Sequence, residues 1–264
     1  MPARILHVSD LHVGGREDPD VEAALGELAA RVAPELVVAS GDLSNRGRPA
    51  ELERAHALLA GLGVPVLAVP GNHDLPYAFP KRFTRPWAEF KAVWGTTEPS
   101  YASPTLHVVG LCSARPFRHQ GGALTEQQLS HAADRLGDAT PGAFRVVALH
   151  HHLLGAPWRA ARKFPLSRRD AVLRTLAGSG AELILSGHIH QAAVAERREF
   201  EVVDGAAHAT VVAVAPGLTR PRPSRTGEAQ GLQLYEIDET AIAVETHLWT
   251  DGGYAPVARR EFRR

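Results

Sequence analysis

Cysteine is almost missing: Cys112 is the only one in 264 residues. That excludes a disulfide framework and a cysteine-based zinc site, and it is compatible with a reducing compartment. Any bound metal must therefore be held by His, Asp, Glu or Asn. A net charge of one sign is missing too. The 29 basic residues balance 29 acidic ones, so the field of the whole molecule advertises neither nucleic acid nor an anionic membrane. Only three of the 29 basic residues are lysines, which makes the abundance of arginine largely a compositional habit. No apolar run approaches the roughly 20 residues of a membrane span. A strand pattern begins within five residues of Met1 and leaves no room for a signal peptide, so the expected location is cytoplasmic.

What is present is a chain that can bury a proper core, 44% hydrophobic and 22% charged. Short apolar runs rich in β-formers ("RILHV", "ELVVAS", "PVLAVP", "LHVVGLC", "FRVVALH", "AELILS") alternate with segments of helical period: Asp20 to Val32, Glu51 to Leu62, Thr125 to Leu136 and Arg168 to Leu176. This rhythm is that of βαβ units and predicts an α/β fold with helix-covered, largely parallel strands. Thr125 before Glu126 and Gln128 resembles a capping box, and Pro49 suits the first turn of a helix. After His190 the pattern changes. "FEVVD", "HATVVAVAP", "LQLYEI" and "AIAVETHLW" read as strands without helices between them, with a hairpin turn in "EIDETAI". The last third is expected to be mainly antiparallel. No linker divides the chain, so residues 1–264 are expected to form one domain; "TRPRPSRTGE" is the most loop-like segment.

Polar residues of one kind collect at the strand ends. "SDLH" gives Asp10 and His12, "SGDLSNRG" gives Asp42, and "PGNHD" gives Asn72, His73 and Asp74. Their spacing is close to thirty residues, about one βαβ unit. "ALHHHLLG" adds His150, His151 and His152, and "LSGHIHQ" adds His188 and His190. Parallel strands share their carboxyl edge, where ligands characteristically bind in open α/β sheets. Residues distant in sequence thus converge, and Asp, Asn and His together suit Zn, Fe or Mn. His7, inside a strand, and His56, inside a helical segment, are read as structural or merely exposed.

The order Asp-x-His, Gly-Asp, Gly-Asn-His-Asp, His, Gly-His-x-His resembles the calcineurin-like metallophosphoesterase superfamily, with motifs reaching from Asp10 to His190. The resemblance implies a four-layer αββα sandwich, in which the C-terminal strands would belong to the second sheet. It also implies a dinuclear centre of divalent or trivalent ions (Mn, Fe or Zn). One metal would be held by Asp10, His12 and His190, a second by Asn72, His150 and His188, with Asp42 bridging; His151 is the fallback for His150.

Two cations roughly 3.5–4 Å apart can clamp a phosphoryl group and lower the pKa of a water between them, so that a metal-bound hydroxide attacks in line. His73, next to a ligand, would contact a phosphoryl oxygen or act as general acid. Asp74 would orient that imidazole or cap a helix. The pattern "GDLSNRG" and "GNHD" departs from the protein-phosphatase branch at Ser44, Asn45 and Asp74. It is more similar to small bacterial phosphodiesterases, including the class III cyclic-nucleotide type. The resemblance therefore implies a small phosphodiester substrate, cyclic nucleotides first, with a nuclease, a broad phosphomonoesterase or a non-catalytic metal-binding scaffold as alternatives. Neither nucleic acid nor membrane is an expected partner, and a homodimer is compatible with the pattern. Within "LLGAPWRAARKFPLSRR", Trp158 could stack on a base and Arg159, Arg162 and Lys163 could meet phosphate, or the segment is a basic loop with one aromatic tucked into the core.

Overall fold

In the computed structural model, which describes residues 2–15, 17–118, 120–154, 164–201, 209–219 and 227–264, the first half of the chain is a run of βα units. β1 (Ala3–Val8), α1 (Pro19–Val32), β2 (Leu36–Ala39), α2 (Pro49–Ala60) and β3 (Val66–Ala68) follow one another. Next come α3 (Lys81–Thr84), α4 (Ala88–Trp94), β4 (Ser100–Ala102), β5 (Leu106–Gly110), α5 (Glu126–Gly137), β6 (Phe144–Ala148), α6 (Arg169–Gly178) and β7 (Leu183–Ser186). The chain closes with β8 (Ala193–Glu196), β9 (Val211–Val214), β10 (Gly231–Ile237), β11 (Ala241–Thr250) and β12 (Gly253–Arg263). The helix starts obey local chemistry. Asp18 caps α1 by accepting from the Asp20 amide, with Pro19 in the first turn. Thr125 and Gln128 cap α5 reciprocally.

Two six-stranded sheets result, ordered β12-β11-β10-β1-β2-β3 and β4-β5-β6-β7-β9-β8. The apolar runs are continuous because successive residues face different layers, with both faces of each sheet buried. Ile5, Leu36, Val38, Val108, Val146, Leu183 and Leu185 meet between the sheets. Their neighbours Leu6 and Val37 pack under Leu25, Leu28, Leu52 and Leu59 of α1 and α2. Val109, Val147 and Ile184 pack likewise under Leu129, Leu136, Val172 and Leu176 of α5 and α6. This is the four-layer αββα sandwich.

The C-terminal strands are placed differently from the expectation. β10, β11 and β12 form an antiparallel meander, but they extend the first sheet, because β10 covers the edge of β1 that β2 leaves open. β9 joins the other sheet and runs parallel to β7. Of "FEVVD", Phe200 and Glu201 lie in a bend after a short 3₁₀ turn, and the rest falls outside the described residues. The turn in "EIDETAI" is closed by Asp238, whose Oδ1 accepts from the amides of Thr240 (2.7 Å) and Ala241 (2.9 Å). Among the described residues no helix is long and apolar enough to cross a membrane.

Candidate metal centre

The carboxyl ends of β1, β2 and β3 from one sheet and of β6 and β7 from the other meet at one place, and short backbone bonds fix their exits. Asp10 N donates to Gly41 O (2.9 Å) and Gly187 N to His150 O (3.0 Å). Between sheets, His188 N donates to Asp10 Oδ2 (2.9 Å), and His150 Nδ1 lies 2.8 Å from Ser40 O. The turns are sharp. Asp10, His12, Asp42, His188 and His190 all have φ between 46° and 74°, five of the eight non-glycine residues with positive φ among the described residues. Asp and His tolerate the left-handed region better than most residues, yet each such position costs about 1–3 kcal/mol. Gly71 is needed for another reason: a Cβ there would overlap the Asp42 carboxylate and amide.

Among the described residues three overlapping groups of side chains share this place, one of them His12, Asp42 and His73, and the other two are the better buried. Of these two, Asp10, His12 and His190 form one; Asp42, His150 and His188 form the other. In the first, Asp10 Oδ1 lies 3.0 Å from His190 Nε2 and 3.7 Å from His12 Nε2. In the second, His150 Nε2 lies 3.1 Å from His188 Nδ1. Asp42 reaches both: Oδ1 is 3.4 Å from His150 Nε2, and Oδ2 is 3.8 Å from His12 Nε2. His151 is in none of these groups; its Nδ1 is 2.9 Å from Ser113 Oγ and its ring packs 4.6 Å from that of His188. Asn72, buried and next to Gly71, has no hydrogen-bond partner for its Oδ1.

These residues fit metal ions. Asp10 Oδ2 is occupied by Ser9 Oγ (2.7 Å) and His188 N, while Oδ1 accepts no hydrogen bond. Asp42 repeats the pattern, with Oδ1 accepting from His73 N (2.8 Å) and Oδ2 from nothing. Each carboxylate thus keeps one buried oxygen without a hydrogen-bond donor, as a metal ligand would. The Ser40 carbonyl can only accept, so His150 Nδ1 carries the proton and Nε2 is left for ligation. Burial opposes charge on Asp10 and Asp42, but the imidazoles, His190 for one and His150 for the other, hold both carboxyls below the usual range. Burial pulls the His12 imidazole well below its ordinary value and keeps it neutral. Burial works the same way on His150, but there the Asp42 carboxylate prevails and lifts it to about 9. Ligation of a metal at Nε2 would require this imidazole to be neutral.

His73 sits at the rim, a ring nitrogen within 4.8 Å of ligand atoms of His12 and Asp42. Its Nδ1 donates to Asn45 O (2.8 Å), with the Tyr77 hydroxyl 3.1 Å away, so Nε2 is the nitrogen available for chemistry. Asp74 neither orients this imidazole nor caps a helix. Its carboxylate is used up by the amides of Leu43 (3.2 Å), Ser44 (2.8 Å) and Gly71 (2.8 Å) and by the Ser44 hydroxyl (2.8 Å), and the next helix begins only at Lys81. Burial, with Asp42 nearby, raises its pKa to about 6. Sequence reasoning overlooked the contacts of Asn45, Ser40 and Ser9. The first two act through backbone carbonyls and leave no side-chain signal; Ser9 was readable only as the neighbour of Asp10. Trp158, Arg159, Arg162 and Lys163 lie outside the described residues.

Solved structures share this architecture. A purple acid phosphatase from yellow lupin superposes with TM-score 0.72 at 13% identity, over 100% of this chain and 53% of the plant chain, about half its length. A dimetal phosphatase from Danio rerio does so with TM-score 0.67 at 14% identity, covering 100% of this chain and 99% of that one. The class is thus the metallophosphoesterase fold. Residues 3–192 match the calcineurin-like phosphoesterase family, and the chain belongs to it. Relatives include a probable cyclic nucleotide phosphodiesterase of Synechococcus, 32% identical over 75% of this chain and 77% of the relative. A cAMP/cGMP dual specificity phosphodiesterase of Mycobacterium tuberculosis is 27% identical over 88% of this chain and 75% of its own.

Proposed function

We propose that the protein is a dinuclear metal-dependent phosphodiesterase of the cytoplasm, hydrolysing small phosphodiesters such as 3′,5′-cyclic nucleotides. The observation that carries the reading is the division of Asp42, one oxygen turned to each histidine cluster. Asp10, His12 and His190 would hold one ion, Asn72, His150 and His188 the other, with Mn, Fe or Zn suited to this donor set. When bound, such a pair polarises the phosphoryl oxygens and makes a water acidic enough to serve as nucleophile. The chain's own residues do the rest. Ser9 and the His188 amide hold Asp10, the Ser40 carbonyl fixes the His150 ring, and the His73 amide holds Asp42. Asn45 locks the tautomer of His73 so that Nε2, when protonated, donates to a phosphoryl oxygen or to the leaving oxygen. The substrate class is supported by the names of the two relatives above.

The test compares diester with monoester on protein stripped by chelation and reloaded with manganese. Expected are no turnover without metal and a higher kcat/KM for cyclic AMP than for AMP, and for bis-nitrophenyl phosphate than for nitrophenyl phosphate. A monoester preference in both pairs would overturn the phosphodiesterase reading and leave the metal site standing.

A further inference from the structure

A patch of exposed aromatic rings adjoins His73. Phe79 is 85% exposed and Phe117 83%, while Tyr77 and Phe83 are 42% exposed. The rings are grouped: Phe79 to Phe83 is 6.4 Å between centroids, and Phe83 to Phe117 is 5.0 Å. Single exposed apolar residues are ordinary, but a contiguous group of large rings in water marks a place where something binds.

The patch is joined to the candidate metal centre. The Tyr77 ring lies 5.8 Å from that of His73, and its hydroxyl is 3.1 Å from His73 Nδ1. The Arg82 guanidinium sits 6.0 Å from the Tyr77 ring centre, and its Nε donates to Pro116 O (2.9 Å), beside Phe117. One arginine thus ties the ring next to His73 to the loop that carries Phe117. The Asp42 and Glu51 carboxylates act on Tyr77, as do Arg82 and Arg46, but among the described residues neither arginine has an acidic partner within ion-pair distance. The approach is therefore lined on one side by aromatic rings tilted 31° and 60° to one another, with Arg82 beside them, and such a surface suits one face or edge of a heterocycle carrying an anionic phosphodiester. Size favours the same occupant. Two ring-to-ring steps make a surface for one or two heterocycles, far short of the about 800 Å² per partner of a stable protein interface.

We infer that Phe79, Phe83 and Phe117 form the ledge on which the nucleobase of the substrate stacks while its phosphate lies at the metal centre. This rests on the proposed function and assigns it a specificity surface.

The test is equilibrium binding, by calorimetry on the manganese-loaded protein, of a non-hydrolysable cyclic AMP phosphorothioate and, separately, of inorganic phosphate. Phe83→Ala with Phe117→Ala should weaken the nucleotide about tenfold or more, the usual effect of losing base stacking, and leave phosphate within about twofold. Phe83→Leu with Phe117→Leu, which keeps apolar bulk, should fall between. Unchanged nucleotide affinity in the alanine variant, or equal weakening of nucleotide and phosphate, overturns the ledge. If the wild-type protein binds phosphate but neither binds nor cleaves any cyclic nucleotide, the substrate reading fails separately. The ledge is then decided by KM for bis-nitrophenyl phosphate against that for an alkyl diester. A rise for the aryl diester alone upholds ring recognition, and equal KM values in wild type and variant overturn it.

Discussion

Asp42 is the residue on which the whole centre turns, since each of its oxygens faces a different histidine cluster. Asp42→Asn replaces one of them with a donor and should empty both metal positions, which elemental analysis of the purified variant would report. His190→Ala should empty mainly the first position and His188→Ala mainly the second. Equal loss of both ions in each would show that the partition between clusters is wrong. His73 calls for a different outcome. Its ring is held by Asn45, outside both proposed ligand sets, so His73→Ala should keep both metals and lose about 10²–10⁴ in kcat. The loss should be larger for a ribose leaving group than for a nitrophenolate. The residue types at the centre were legible in the sequence because Asp, Asn and His recur after successive strands. What could not be read was direction. Asp74 is adjacent to His73 in sequence, yet its carboxylate turns to the Ser44 loop while the imidazole turns to Asn45. Three consecutive histidines likewise offer three ligands on paper, and what distinguishes His150 from His151 is the Ser40 contact of the one and the Ser113 contact of the other.

At the level of elements, the site is a set of loops that must be clipped together. Asp74 is the clip: it accepts from the Leu43 and Ser44 amides on one loop and from the Gly71 amide on its own. Asp74→Ala would leave three buried N–H groups without an acceptor, at about 1–3 kcal/mol each. It should lower stability by several kcal/mol in denaturant unfolding and reduce metal content, since Asp42 and Asn72 lie on the clipped loops. Retained stability with unchanged metal content would mean that water replaces the carboxylate. The four longer helices were readable from their period and caps, Thr125 with Gln128 being the clearest. By contrast α3, α4 and β4 are four, seven and three residues long, too short for any period to show. The sheet to which β10 belongs was hidden for another reason: alternation tells which face of a strand is buried, and says nothing of which free edge it will pair with.

At the level of the whole molecule, acid should weaken the fold through His7. This imidazole is fully buried in β1, 2.8 Å from Ser40 Oγ, and burial lowers its pKa to about 3. The unfolded chain takes up the proton near pH 6.5, and the folded protein refuses it until about 3. Stability is therefore whole above about pH 6.5 and falls by about 1.4 kcal/mol per unit as pH drops through that window. Between pH 6.5 and 4.5, His7→Gln should lose about 2–3 kcal/mol less than wild type, measured by urea unfolding with chelator present. Parallel losses in both proteins would assign the acid sensitivity to other groups.

The meeting of two sheets at one edge has a mechanical consequence. Each proposed ion would join residues from both sheets, His12 and His190 for example, which are 178 positions apart along the chain. In polymer terms a filled centre is a removable cross-link closing a very long loop, the kind that most restricts the unfolded chain. The loaded protein should then behave as a clasped one. At a fixed denaturant concentration its unfolding rate should be limited by ion departure and rise with chelator, whereas Asp42→Asn, already open, should unfold at a rate that chelator does not change.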